Sequence, residues 1–185
     1  MNVFLSRSYD IKLNVTFVIL WGVKLVENKL LIRVGELDDL EILVEFNRAI
    51  ALETEGIDLS LDVVTAGVET LLKNPNLGFY LLAETNDKKV VGTLMVTTEW
   101  SDWRNGMYWW IQSVYVHPES RRQGIYRRLY EFVKEKAINE QKELKLCGFR
   151  LYVECENTVA QKTYKALGMK ETGYRIYEEL EFGLT

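Results

Sequence analysis

Four arginines crowd one short stretch, "VYVHPESRRQGIYRRLYEFV", from Val114 to Val133. Arg121 and Arg122 stand before Gln123 and Gly124, and Arg127 and Arg128 stand after them. An apolar run and a proline turn lead in, and helical spacing follows at once. A helix start carries unpaired N–H groups and a partial positive charge. A glycine there lets the backbone approach an anion with no side chain in the way. The chemistry this pattern suits is the holding of a phosphate ester, with arginines adding charge-assisted hydrogen bonds. A merely solvated basic helix is the plainer alternative. The strand end and the glycine beside the run weigh against it. Neither GxxxxGK(S/T) nor GxGxxG occurs, so this is neither a P-loop nor a dinucleotide fingerprint.

The rest of the chain must position that junction. Its 185 residues fit one domain, and 48% apolar with 12% aromatic content can build a core. Net charge is −4, which gives no global basic footprint and disfavours a nucleic-acid partner. Two cysteines, Cys147 and Cys155, and the single His117 form no metal-ligand cluster, so no metal is expected. Two thiols make no disulfide scaffold, and a reducing cytoplasm is the expected compartment. Leu13 to Val23 is apolar but shorter than the ~20 residues of a membrane span. No small-x-small cleavage site follows it. No membrane span is expected, and residues 1–29 read as an N-terminal extension to a domain at 30–185.

Within that domain "LLIRVGEL" reads as a strand. Asp38 and Asp39 suit a helix start, and Leu40, Leu43, Val44, Phe46 and Ile50 recur at helical spacing. A second helix is expected from about Leu61 to Leu72, stopped by "KNPNLG". The period then changes. "GFYLLAE", "KVVGTLMVTTEW" and "MYWWIQSVYV" read as three strands, with Asn105-Gly106 as the second turn. A helix from about Gln123 to Glu140 has Ile125, Leu129, Phe132, Val133 and Ala137 as its apolar face. "FRLYVE" reads as a strand that should run parallel to the one ending at Val116. A helix with Asn157 as N-cap and Gly168 as its stop follows, and "GYRIYEELEF" reads as a last strand.

At these residues the sequence resembles the GNAT superfamily of N-acetyltransferases. The family's loop (Q/R)-x-x-G-x-(G/A) reads here "RRQGIY", Arg121 to Tyr126. Its second signature, N-x-x-A-x-x-x-Y-x-x-x-G-(F/M), is matched by "NTVAQKTYKALGM", Asn157 to Met169. The likeness spans about Leu30 to Phe182. It implies a mixed α/β domain with a mostly antiparallel central sheet flanked by helices, and one parallel strand pair splayed at the cofactor site. It implies acetyl-coenzyme A as cosubstrate. Val114, Tyr115 and Val116 would pair with the pantetheine arm through their backbone. The amides of Arg122, Gln123, Gly124, Ile125, Tyr126 and Arg127 would hold the pyrophosphate. Asn157 would contact the arm, and Tyr164 would be the catalytic acid near the sulfur. Asn157 and Tyr164 are two helical turns apart, so they share a face.

Two residues depart from the pattern. Tyr126 stands where the loop carries Gly or Ala, so its side chain must point away from the phosphates or crowd them. Gln112 stands where many members carry a glutamate base, and an amide takes no proton at neutral pH. Another carboxylate acting through water could serve instead, or the amine could arrive neutral. The acceptor-side candidates are Glu53, Glu55, Glu99 and Asp102, with Gln112 itself; Glu154 and Glu156 are weaker. Acid beside tryptophan suits a cationic amine. His117 is expected as an exposed turn residue and Cys155 as a small buried thiol. The expected function is transfer of an acetyl group from acetyl-coenzyme A to a primary amine on a small molecule or peptide. The alternative is a non-catalytic acyl-coenzyme A binding or regulatory module. A homodimer is compatible with the resemblance.

Overall fold

The change from helical to alternating spacing near Gly78 is where the chain passes from helices into a sheet. A computed structural model describes residues 30–140 and 145–179. Its elements are β1 (Leu31–Val34), α1 (Leu40–Glu55), α2 (Leu61–Lys73), β2 (Gly78–Glu84), β3 (Val90–Ser101), β4 (Gly106–Val116), α3 (Ile125–Glu140), β5 (Leu146–Arg150) and α4 (Thr158–Ala166). The sheet order is β1-β2-β3-β4-β5. Pairing is antiparallel throughout except between β4 and β5, which run parallel. The fold is the mixed α/β one expected. The extension at 1–29 lies outside the described residues.

Alternation decides which helix covers which face. Leu81, Leu94, Val96, Trp109 and Ile111 face α3, whose Ile125, Leu129, Val133 and Ala137 complete that core. Tyr80 and Leu82 face the other way and meet Leu43, Val44, Val68 and Leu71 of α1 and α2. Asp39 closes the turn before α1 and also accepts two bonds of 2.7 Å from Arg33, which bonds Glu84 at 2.9 Å. Those charges tie β1, β2 and the start of α1 together, and the guanidinium holds the Asp39 carboxyl below its usual range.

Two features of the sheet create the site. β4 carries a bulge: Met95 pairs with Gln112 but Thr93 pairs with Tyr115. Ser113 takes up the extra residue with a φ of 45°. The bulge switches the strand's faces. Ile111 and Val114 both lie toward α3, while Tyr115 turns to α1 and meets Phe46 at 4.8 Å. The β4–β5 ladder then ends at Trp110 and Arg150. Beyond that pair the two chains separate.

Two strand expectations need correction. The segment expected as a strand from Phe149 to Glu154 is paired at Leu146–Arg150 instead, because β4 has bent away and offers 151–154 no ladder. Residues 173–179 form no strand despite their alternation. Tyr174 and Tyr177 stand in solvent, and alternation without a pairing edge does not make a strand. Residues 180–182 of that expected strand lie outside the described residues.

Candidate active site

The arginine cluster divides into two pairs. Arg121 is fully engaged: Nη1 and Nη2 donate to the two carboxylate oxygens of Glu53 at 2.7 and 2.6 Å, and Nε donates to Val116 O at 2.9 Å. Arg128 reaches Leu30 O at 2.7 Å. These two hold structure. Arg122 and Arg127 are exposed, and neither side chain bonds a described residue. They are the cations free to meet an anion.

The backbone between them forms a nest. Arg122 and Gly124 both have left-handed φ values, 63° and 76°. The first α3 bond runs from Arg128 N–H to Gly124 O at 3.1 Å. The amides from Arg122 to Arg127 therefore have no carbonyl acceptor among the described residues. Successive amides in such alternating conformations point into one concavity and suit an anion. A Cβ built on Gly124 would meet nothing within 4 Å. The space above the nest is open.

The β4 edge leads away from that nest. His117 N–H donates to Val91 O at 2.9 Å, toward β3. Backbone groups alternate sides along a strand, so Val114 and Val116 turn theirs to the unpaired side. The Arg121 bond to Val116 O lies there. Tyr115 lies between them with its side chain buried toward α1. The gap left by β5 thus exposes backbone donors and acceptors that an extended, amide-bearing ligand could pair with.

α4 closes the other side. Asn157 caps it as expected, its Oδ1 accepting from Ala160 N–H at 3.0 Å. Gln161 Nε2 anchors the helix start to Glu154 O and Cys155 O at 3.1 and 2.9 Å. Gly168 ends it with a φ of 92°, which only glycine adopts readily. Tyr164 sits edge-on to Tyr126, ring centroids 5.5 Å apart. Burial pushes the Tyr164 hydroxyl above the ordinary tyrosine value, so it stays protonated at neutral pH. Tyr126 does not crowd the nest. Its ring stacks on Tyr130 and turns toward α4.

The acceptor-side candidates do not gather in one place. Glu53 is held by Arg121, which depresses its pKa, and belongs with the nest. Glu55 ends α1 in solvent. Asp102 lies exposed in the β3–β4 turn, accepting from Trp103 N–H at 2.8 Å. Glu99 and Gln112 do share a face. Gln112 Nε2 donates to Thr97 Oγ1 at 3.1 Å. Glu99 Oε1 accepts from Arg150 Nη1 at 2.7 Å, and its Oε2 accepts from Trp110 Nε1. Arg150 also lies 3.8 Å from the Tyr108 ring centroid. Arg150, Trp110 and Tyr108 were not expected there. Counting the hairpin out from Asn105-Gly106 brings Glu99 opposite Tyr108, but nothing local brings in Arg150. Two minor expectations are corrected: Cys155 is exposed because it lies in the loop before α4, and His117 is half-buried under its turn.

The family model described as "Acetyltransferase (GNAT) family" matches residues 44–169, which include the nest, the β4 edge and α4. The chain belongs to the GNAT acetyltransferase family. Acyl transfer is that family's chemistry. A possible acetyltransferase from Clostridium difficile 630 is similar, with 44% identity over 82% of this chain and 97% of that one, at a TM-score of 0.74. A predicted acetyltransferase from Clostridium acetobutylicum, solved with acetyl-CoA, shares the fold at 22% identity, 81% and 96% coverage and a TM-score of 0.63. An aminoglycoside N-acetyltransferase solved with CoA does so at 18% identity, 83% and 96% coverage and a TM-score of 0.66. A search of curated proteins finds no match. Among the described residues of this GNAT chain, no helix is long and apolar enough to cross a membrane, and no cluster of three or more metal-ligating side chains occurs.

Proposed function

We propose that the protein transfers an acetyl group from acetyl-coenzyme A to a primary amine. The observation that carries this is one line of groups: the β4 edge at Val114 and Val116 beyond the end of the β5 ladder, where Arg121 already takes the Val116 carbonyl, the amides of Arg122 to Arg127 without a carbonyl acceptor, and the Tyr164 hydroxyl beyond Tyr126. The coenzyme has an anionic pyrophosphate, an amide-bearing arm and a thioester, in that order. The nest would hold the pyrophosphate, with Arg122 and Arg127 adding charge. Val114 and Val116 would pair with the arm, and the side-chain Nδ2 of Asn157 would reach it from α4. Bound, the coenzyme supplies an activated acetyl group.

This chain's residues then orient and move protons. Glu99, paired with Arg150 and bonded by Trp110, offers an approaching amine a fixed hydrogen-bond acceptor beside aromatic rings. Gln112 can orient the amine through its carbonyl but cannot take its proton. Glu99 acts as base through water, or the amine arrives neutral. The amine nitrogen forms its bond to the acetyl carbon as the carbon–sulfur bond breaks. Tyr164 donates its hydroxyl proton to the departing sulfur. Proximity of two bound substrates supplies much of the rate in such a transfer, which is why a modest base suffices. Glu53 works through Arg121 on the loop, while Glu55 and Asp102 stay at the rim.

The test is thiol release from acetyl-coenzyme A across a panel of small amines and peptides. Release above the buffer background with at least one amine is expected. Tight coenzyme binding with no release for any amine would favour the non-catalytic binding module, the reading that Gln112 keeps open.

A further inference from the structure

One guanidinium at the mouth between β4 and β5 is only partly engaged. Arg33 and Arg121, which clamp elements together, each use all three side-chain nitrogens. Arg150 bonds Glu99 through Nη1 alone, at 2.7 and 3.0 Å to the two carboxylate oxygens. Its Nε and Nη2 have no partner among the described residues, and neither is shielded from water. Those two nitrogens form the side-on fork of the guanidinium, the geometry that takes a carboxylate bidentately. The Glu99 bonds and the Tyr108 ring, 3.8 Å away at its centroid, hold the fork in place. Glu99 also keeps some capacity. A carboxylate offers about four acceptor sites, and here two are taken by Arg150 and one by Trp110. Register puts the pair on one face. Arg150 pairs with Trp110 at the last rung of the β4–β5 ladder, and Glu99 pairs with Tyr108 across β3–β4. The α1–α2 core on that face reaches Met95, opposite Gln112, and takes in no residue of β3 or β4 past it toward the turn. The platform is open to a small molecule.

We propose that the acceptor is an α-amino acid: the free fork of Arg150 holds its carboxylate, and the remaining acceptor site of Glu99 receives its amine. This names the acceptor for the acetyl transfer proposed above and rests on that reading. The coenzyme's arm, running back along β4 from the nest, would bring its thioester toward the rung that carries Arg150. A Glu–Arg pair is a short dipole, and an α-amino acid carries the complementary one, a cation and an anion one carbon apart. An amine without the carboxylate leaves the fork unfilled. A carboxylate without the amine adds a second negative charge beside Glu99 with nothing to balance it. The products are the N-acetylated amino acid and coenzyme A with a free thiol.

The test measures thiol release by the full chain with a panel of α-amino acids, each beside its α-amide and its decarboxylated amine. The best amino acid should show kcat/KM at least about tenfold above both analogues, the scale of a charge-assisted bond, with most of the difference in KM. Arg150→Gln, with folding checked by thermal unfolding and by calorimetry with acetyl-coenzyme A, should lose that preference. Arg150→Lys keeps a cation opposite Glu99 but no planar fork, so its preference should shrink. Equal kcat/KM for acids and their amides in the parent chain would overturn the inference and leave the amine reading standing. An undiminished preference in a folded Arg150→Gln would overturn the role of Arg150. Thiol release with no amine of any kind would remove the transfer reading itself, and this inference with it.

Discussion

Arg121 ties the end of α1 to the loop that forms the nest, and replacing it should loosen that junction measurably. The side chain makes two charge-assisted bonds to Glu53, one bond to Val116 O, and lies 5.9 Å from the Tyr115 ring centroid. The pair is 40% and 48% exposed, so solvent screens it heavily. Its bidentate geometry still puts it near the upper end for surface pairs, about 1 kcal/mol. The Val116 bond and the ring contact add about 1 kcal/mol more. Arg121→Ala should therefore cost about 2 kcal/mol, a fall of roughly 4–8 °C in Tm for a chain of this size. Glu53→Ala should cost only the pair. A double-mutant cycle read by thermal unfolding should return a coupling of about 1 kcal/mol, shrinking in 1 M salt. The pH dependence has a definite sign. Arg121 holds the Glu53 carboxyl below its ordinary 4.5. The coupling should be complete above that value and be lost as pH falls through the lower folded one. A coupling below about 0.2 kcal/mol at neutral pH would refute the clasp and return Arg121 to the solvated cations.

Two other substitutions probe the chemistry. Tyr164→Phe should lower turnover by about 100-fold or more while leaving coenzyme affinity unchanged, checked by steady-state kinetics beside calorimetry. Because burial raises the Tyr164 pKa above 10, the parent chain's turnover should show no alkaline fall from this group below that pH. Glu99→Gln should raise KM for a cationic amine about tenfold, the scale of one charge-assisted bond, with coenzyme affinity unaltered.

Local rules made much of this arrangement legible in the sequence. Asn157 and Gly168 bracket α4 because an N-cap side chain and a left-handed stop are short-range requirements. Asn105, with a φ of 47°, makes the β3–β4 turn for the same reason. The α3 face followed from spacing alone. What could not be read depends on distant partners. Glu53 and Arg121 are separated by 68 positions, so nothing local marks one arginine of the cluster as structural. The bulge sits at Ser113, a residue type with no special claim to positive φ, and it decides where β5 stops pairing. Arg150 joins Glu99 through that same register. The alternation from Tyr174 onward promised a strand, but a strand also needs an edge to pair with.

The central claim is that the amides of Arg122 to Arg127 hold the coenzyme's pyrophosphate. The direct test is calorimetric titration of acetyl-coenzyme A, with ATP and NADH as controls, into the parent chain and into Gly124→Val. Gly124 has a φ of 76°, so the variant strains the loop by about 1–3 kcal/mol and puts a branched side chain over the nest. The account predicts saturable, selective binding tighter than about 100 μM, or about −5.5 kcal/mol, in the parent chain and its loss in a folded Gly124→Val. No saturable heat in the parent chain, or undiminished binding in the variant, would contradict it.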